Sequence, residues 1–380
     1  MKYLMVDISG KVPKYDTALC EALSSCFGEE AELTLLAANI DSRNIKCNAK
    51  RLISLIPKKF QNSENKYKRC IKALEGLLNY IYLVFYIFLK QPSIVHMQWL
   101  PFLEVSSIER FFLRFIRIAS PKSKIWLTVH NIYPHNSKKK SRKQYKSRFI
   151  QLEVFFDLFI LHLQTSKLEF CKEFNIDESR CKVIPHGVFE PENLKITPHE
   201  RGNKLRLVMY GNQSYYKGTD ILVDAIALLP KDVQKQVSAT IVGKTPDDYL
   251  SLLHKKAEGL DIHIISKFVS DDELNQFILD SDIIVLPYRE ISQSGVLLLA
   301  LYFEKPIICS DLPSFKETLA EFDKKSFFEA GSPNSLSHLL EQIIAQSFDF
   351  EKWKQNCIMV KERFSWKKIA LLYKREIKCV

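Results

Sequence analysis

The stretch that decides the fold is Asp282–Asp311, DIIVLPYREISQSGVLLLALYFEKPIICSD. Its opening run, IIVLP, is apolar on both alternating faces, the pattern of a strand buried on two sides inside a parallel sheet. A polar loop, YREISQSG, follows, and then VLLLALYF, a helix apolar all round and far shorter than the roughly 20 residues that cross a bilayer. A strand that enters a helix through such a loop places Ser, Gln, Ser and Gly at its carboxyl end, where open α/β sheets receive their ligands.

Working outward, the same alternation repeats. LRLVMYG, VSATIVG and DIHIISKFV read as strands, with TDILVDAIALLP, DDYLSLLHKKAEG and DDELNQFILDS as helices between them. Repeated βα units of this kind build a doubly wound parallel sheet. The first half carries a second series of strands: KYLMVDI, AELTLLAA, PSIVHMQWL, KIWLTVHN, LFILHLQT and KVIPHG. A chain of 380 residues exceeds what one core usually holds, so the expected fold class is α/β with two Rossmann-like doubly wound domains. EPENLKITPHERGNK, Glu190–Lys204, is polar, contains two prolines and lacks an apolar period, which marks a link and gives domains at 1–190 and 191–364. FSWKKIALLYKREI, within about 365–380, reads as a further amphipathic helix.

Residues 1–190 hold 30 Lys/Arg against 18 Asp/Glu, whereas 191–380 hold 25 against 26, so the net charge of +11 arises entirely in the first half. A one-sided basic field attracts nucleic acid, anionic lipid headgroups or a phosphorylated substrate. No nucleic-acid-binding module accompanies it, and the βα pattern runs against that partner. Nine scattered cysteines form no CxxC pair and no Cys/His spacing suited to zinc, so no metal site is expected and a reducing cytosol is. Met1–Asp16 reads as a first strand and not a signal peptide, which predicts a chain that is not exported.

Two helices of the first half are unusual. LLNYIYLVFYIFLK, Leu77–Lys90, is almost unbroken apolar sequence preceded by KYKRCIK, and reads as a helix buried against the sheet's flank. IERFFLRFIRIASPKSK sets Arg110, Arg114 and Arg117 on one helical face with Phe111, Phe112, Phe115 and Ile118 beside or opposite it. That pattern fits a helix lying in a membrane interface and equally a core-facing helix with a solvated rim.

Four stretches, in order, carry a resemblance: VIPHGV, YGNQSYYKGTDILVDAIALL, DIIVLPYREISQSGVLLLALYFEKPII and FSWKKIALLYK. Together they resemble the family-four retaining glycosyltransferases of the GT-B fold, closely in the second half and loosely in the first. The resemblance implies two domains facing each other across a cleft, a nucleotide sugar held by the second, an acceptor by the first, and a last helix that crosses back. Stabilising the charge on the leaving diphosphate can be done with a positioned cation and a helix N-terminus, without metal. Lys217, after Gly211 and before Gly218, is the candidate cation, with a solvated loop lysine as the plain alternative. Asn212 stands where the family often has an arginine, and Arg289 is a candidate for the second charge.

The same resemblance assigns the opening loop. The amides of Ser294, Gly295 and Val296, at a helix start, would receive a phosphate, although Ser-x-Ser-Gly is also an ordinary capped turn. Aligned on Gly295, Ser292 and Ala300 replace the family's paired glutamates; Glu290 is the candidate substitute for the first, and the SQSG variation reads as a subgroup. Phe268 and Val269 fall where the family lays the nucleotide base, His130 where it has a histidine near sugar and acceptor, and Gly10 in a loop touching both. His186 and Gly187 fall on the hinge side, the glycine fitting a tight turn. The implied activity is hexosyl transfer from a UDP- or GDP-linked sugar to a glycan acceptor, undecaprenyl-diphosphate-linked, for cell-surface polysaccharide. No cofactor is expected, and the location is cytoplasmic, peripheral on an anionic membrane. A non-catalytic glycan- or lipid-binding protein of the same fold is the alternative that the missing glutamates favour.

Overall fold

A computed structural model describes residues 1–40, 47–55, 66–134, 139–189, 191, 204–345 and 350–378. The expected link, 190–204, lies almost wholly outside them. The chain divides into two compact units, Met1–Gly187 with Trp366–Val380, and Val188–Ser365. The division falls three residues before the 190/191 boundary read from the sequence, because Val188 already packs in the second core and its N–H donates to Phe364 O at 3.0 Å.

The first unit holds seven strands, β1 (Lys2–Asp7), β2 (Glu32–Ala37), β3 (Ala49–Arg51), β4 (Ile94–Met97), β5 (Lys124–Thr128), β6 (Leu158–Leu161) and β7 (Cys181–Val183), in the order β3-β2-β1-β4-β5-β6-β7. Every pairing is parallel. Its helices are α1 (Pro13–Phe27), α2 (Lys66–Lys90), α3 (Glu109–Ala119), α4 (Lys139–Leu152) and α5 (Gln164–Phe174). The second unit repeats the plan with β8 (Leu205–Tyr210), β9 (Val237–Val242), β10 (Ile262–Ile265), β11 (Ile283–Leu286), β12 (Ile307–Ser310) and β13 (Phe327–Phe328), ordered β10-β9-β8-β11-β12-β13 and again all parallel. Its helices are α6 (Thr219–Leu228), α7 (Lys231–Gln234), α8 (Asp247–Lys256), α9 (Asp271–Leu279), α10 (Gly295–Tyr302), α11 (Pro313–Thr318), α12 (Pro333–Ala345) and α13 (Phe350–Arg363). The doubly wound α/β reading of both halves therefore holds. β3 and β13 were not legible, being two or three residues long with no apolar period.

The last helix, α14 (Trp366–Lys378), belongs to the first unit and lies along α1. Tyr15 and Tyr373 hydroxyls meet at 3.3 Å between the two helices, and Lys374 Nζ donates to Cys26 O at 3.0 Å and pairs with Glu30 at 2.8 Å. At the start of α14 the Trp366 indole lies against Gly187, where an added Cβ would stand 2.3 Å from the ring. Gly187 is thus required for this close approach and not for the tight turn expected of it.

The flank of the first sheet departs from expectation. Tyr80, Leu83 and Ile87 of α2 are fully buried, but Phe85, Phe88 and Leu89 are 63%, 61% and 75% exposed. Leu77–Lys90 is therefore half a core helix and half an uncovered apolar stripe. Next to it, α3 buries Phe112, Leu113 and Ile116 and exposes Phe111, Phe115 and Ile118. Glu109 joins the two helices: its Oε1 accepts from Tyr80 Oη and Phe102 N, both at 3.0 Å, and burial raises its pKa to about 8. Arg117 points inward, donating to Phe155 O and to Asp157 Oδ2 at 2.6 Å, so it is not part of the outward cationic face read from the sequence.

Gly187→Ala should destabilise the first unit by about 1–3 kcal/mol, the usual cost of forcing a methyl into a packed site. Chemical denaturation followed by Trp fluorescence reads this; unchanged stability would show that Trp366 has room to move.

Candidate functional site

The second unit gathers most of the expected residues at the carboxyl ends of β8 and β11. Gly211 follows β8 directly, and a Cβ added there would stand 2.8 Å from Lys217 Nζ and 3.3 Å from Val296 Cγ2, which puts the ammonium, the strand end and the first turn of α10 side by side. Lys217 is only 7% exposed, and its ammonium lies 5.5 Å from the centre of the Tyr288 ring. No carboxylate pairs with it among the described residues. Burial holds its pKa down at about 8, since a charge removed from water without a counter-ion is costly. The solvated-loop alternative for Lys217 is thereby excluded.

Arg289 is not the free second charge expected of it. Its guanidinium grips Asp220 through two bonds of 2.9 and 2.8 Å, donates to Tyr215 O at 2.8 Å and stacks over the Tyr215 ring at 4.1 Å. Tyr249 Oη adds a bond to Asp220 at 2.7 Å. Burial raises the Asp220 pKa, but the bonds from Arg289 and Tyr249 outweigh it and the carboxyl is held low. Arg289 is therefore a neutralised brace and not a second free cation: it ties the 215–217 loop to the start of α6. Gln213, also unforeseen, performs the matching task on the other side, donating to Gly211 O at 2.7 Å and accepting from Thr219 Oγ1 at 2.7 Å. The signal for both lay in QSYYKGTD, whose polar residues flank a buried lysine, but their partners are set by tertiary structure.

In the opening loop, Ser294 is the N-cap of α10, its Oγ accepting from Leu297 N at 3.1 Å. The capped-turn reading is correct, and it leaves the Gly295 and Val296 amides in a first turn that offers them no intrahelical acceptor. Ala300, at the second glutamate position, is fully buried. Ser292 is half-buried in the loop, and Asn212 and Glu290 are exposed. Phe268, after β10, is 88% exposed, with Val269 half-buried beside it. Among the described residues no group of three His, Cys, Asp or Glu side chains is arranged to hold a metal.

The first unit holds Gly10 and His130. Gly10 N donates at 2.9 Å to Asp7 Oδ1, which also takes Ser9 N and Ser9 Oγ; this carboxylate shapes the β1–α1 loop. Asp16 is fully buried near it, its pKa raised by burial and by Asp7. His130 follows β5 and belongs to a cluster that sequence reading missed: His130, His162 and His186 pack around Tyr15, and His96, on the neighbouring β4, lies against Tyr3, Trp126 and Tyr373. His96 is held by Tyr3 Oη at 2.6 Å and Thr128 Oγ1 at 2.7 Å, and His130 Nδ1 meets His162 Nε2 at 3.3 Å. Burial, then the neighbouring histidines, pushes His96 and His186 down to about 3 and His130 well below its ordinary range, and burial alone takes His162 to about 4.

Residues 192–358 match the family described as Glycosyl transferases group 1; the second unit is a glycosyltransferase domain of that group. Over 254 residues the chain is 22% identical to an uncharacterized glycosyltransferase of Methanocaldococcus jannaschii, 63% of each chain being covered. Over 106 residues it is 31% identical to the GDP-mannose:glycolipid 4-beta-D-mannosyltransferase of Xanthomonas campestris pv. campestris, covering 27% of this chain and 29% of that one. The chain thus spans less than two thirds of the length of these curated relatives. In fold it is similar over its whole length to HepE of Anabaena, solved with UDP, at 17% identity and a TM-score of 0.70, with all of both chains covered. The two parallel-sheet units have the architecture of the GT-B glycosyltransferases.

The histidine cluster makes a pH prediction. The unfolded histidines titrate near 6.5 while the folded ones stay neutral to about 4 or below, so the unfolded state binds more protons as the pH falls. Stability is complete above the unfolded pKa and is lost below it, by about 1.4 kcal/mol per pH unit for each histidine, or about 5 for four. Urea unfolding of the first unit at a series of pH values reads this slope; a flat profile from neutral pH to about 5 would show that the cluster is solvated.

Proposed function

We propose that the protein is a retaining hexosyltransferase that moves a sugar from a UDP- or GDP-linked donor to a glycan acceptor on an undecaprenyl-diphosphate-type lipid, in cell-surface polysaccharide synthesis. The observation that carries the reading is Lys217, an ammonium with no carboxylate partner among the described residues, buried after a strand end beside the first turn of α10 in a glycosyltransferase domain. A diphosphate supplies the counter-charge that the fold withholds, and as the glycosyl bond breaks the ammonium and the amides of Ser294, Gly295 and Val296 take up the developing charge. On this reading no metal or other cofactor is needed. Gly211 and Asn212 border the phosphates, Phe268 and Val269 receive the base, and Glu290 and Ser292 face the sugar. The SQSG sequence marks a subgroup without the paired glutamates. His130 and Gly10 serve the acceptor side. That the glycolipid mannosyltransferase matches this chain supports a lipid-linked acceptor.

A peripheral location on the inner face of the cytoplasmic membrane is part of the proposal. Phe85, Phe88 and Leu89 of α2 and Phe111, Phe115 and Ile118 of α3 form an exposed apolar surface, bordered by the exposed Arg110 and Arg114. Apolar side chains rimmed by cations suit an anionic bilayer surface. α2 holds the one described stretch long and apolar enough to cross a membrane, Cys70–Lys90, but its inner face is built into the first core. The side chains of the KYKR run at 66–69, and residues 137–138 of the second basic run, lie outside the described residues.

Lys217→Ala should lower transfer from UDP- and GDP-hexoses to a membrane-lipid extract by about a hundredfold, with the melting temperature kept and EDTA without effect on the wild type. Near-normal turnover, or loss with EDTA restored by Mg²⁺ or Mn²⁺, would overturn the mechanism, and donor binding without transfer or hydrolysis would favour the non-catalytic alternative. In co-sedimentation with liposomes, the wild type should bind anionic vesicles at low salt and release at high salt, each cation contributing about 1 kcal/mol. Phe111→Ser/Phe115→Ser and Arg110→Glu/Arg114→Glu should each abolish binding; binding equal to the wild type sinks the proposed face.

A further inference from the structure

The histidine cluster specifies more than stability. A neutral imidazole carries one proton, so one ring nitrogen donates and the other accepts. His162 Nδ1 lies 3.0 Å from Ile184 O. A carbonyl only accepts, so the proton of His162 is on Nδ1, and its Nε2 is a bare lone pair. That lone pair faces His130 Nδ1 at 3.3 Å, which must then carry the proton of His130. By elimination His130 Nε2 is an acceptor, and it is buried with no hydrogen-bond partner among the described residues. Both rings are kept neutral by burial, so each carries a single proton.

Gln98 lies close by on the β4 side and shares a pocket with His130, Trp99, Asn131 and Tyr145. It is fully buried, and its Oε1 is likewise without a partner among the described residues. Two buried acceptors beside one pocket call for O–H or N–H groups, because an acceptor taken out of water and left unmatched costs about 1–3 kcal/mol. The Trp99 ring stacks on His130 with centroids 5.8 Å apart and an angle of 23°, and Lys11 Nζ stands 4.4 Å over the indole while pairing with Glu104 at 3.2 Å. An aromatic wall next to hydrogen-bond acceptors is suited to a ring bearing hydroxyls.

We propose that His162 is a positioning residue: anchored on Ile184 O, it fixes the His130 proton on Nδ1 and so presents Nε2, with Gln98 Oε1, to the hydroxyl donors of a saccharide entering the Trp99 pocket. The ligand class rests on the transferase reading; the tautomer does not. Trp99, half-exposed, is the element that yields when a hydroxyl reaches Nε2. His130 in this tautomer is no general acid, since at neutral pH it has no proton to give at Nε2.

The test is nitrogen-15 NMR of histidine side chains in the full-length protein, with His130 identified by the signals lost in His130→Gln. The wild type should show His130 protonated on Nδ1, and His162→Leu should move the proton to Nε2. His162→Gln, whose Oε1 takes the place of the accepting nitrogen, should keep it on Nδ1 and provides a second variant if the leucine form does not fold. Methyl glycosides of glucose, galactose and mannose are then titrated in, and at least one should shift the His130 Nε2 resonance. In the transfer assay His162→Leu should lower kcat/KM roughly tenfold, the scale of one misplaced hydrogen bond, with most of it recovered in His162→Gln. Wild-type His130 protonated on Nε2, a tautomer indifferent to His162→Leu, or an Nε2 resonance that no glycoside moves would overturn the proposal. Expected tautomers and glycoside shifts without transfer in any form would instead sink the transferase reading and leave the assignment of His162 standing.

Discussion

Two all-parallel sheets buried on both faces leave the strand ends as the main places where the polar groups of a site can collect. A parallel ladder satisfies its own amides and carbonyls only along the strand length, and each strand must then hand the chain to a helix through a short loop. The candidate site residues of both units stand at or beside those exits. The β8 and β11 exits carry Gly211, Lys217 and Ser294, and those of β4 to β7 carry Gln98, His130, His162 and His186. The same constraint explains why the polar groups are so tightly paired with one another. Gln213, buried, and Arg289, half-buried, tie loop to loop, which fixes where Lys217 stands.

The two units manage buried charge in opposite ways. In the second, Asp220 and Arg289 neutralise each other and the lysine next to them is left unmatched. Breaking a buried pair by removing one partner is far more costly than never having had it, so the brace is stable as built, whereas the lysine has no carboxylate partner among the described residues. In the first unit burial acts on the histidines instead. They remain neutral, and order among them is kept by proton position instead of by charge.

The fold was legible because strands such as IIVLP and LRLVMY are apolar on both faces and are separated by helices of ordinary length. Lys217, Ser294 and His130 were also legible, each standing between a strand and a helix. What was hidden depends on residues far apart in the chain. Nothing near Arg289 announces Asp220, 69 positions away, and the four histidines come from segments between residues 96 and 186 with no shared motif. The exposed stripe of α2 was misread for a different reason: Leu77–Lys90 is so uniformly apolar that the sequence has no contrast from which to separate the face against Leu83 from the face at Phe85.

The return of α14 to α1 has a consequence for how the protein is made. The first unit is not contiguous in the chain: its last helix, with Trp366 and Tyr373, follows the whole second unit. Chains emerge from the ribosome N-terminus first and domains tend to fold as they appear. The face of α1 that holds Tyr15, and the side of the histidine cluster against it, therefore stay uncovered while some 180 residues of the second unit are synthesised. Only when Trp366 reaches Gly187 is that face closed, so the nascent first unit exposes an aromatic, histidine-lined surface to the cell's chaperones that the finished protein does not.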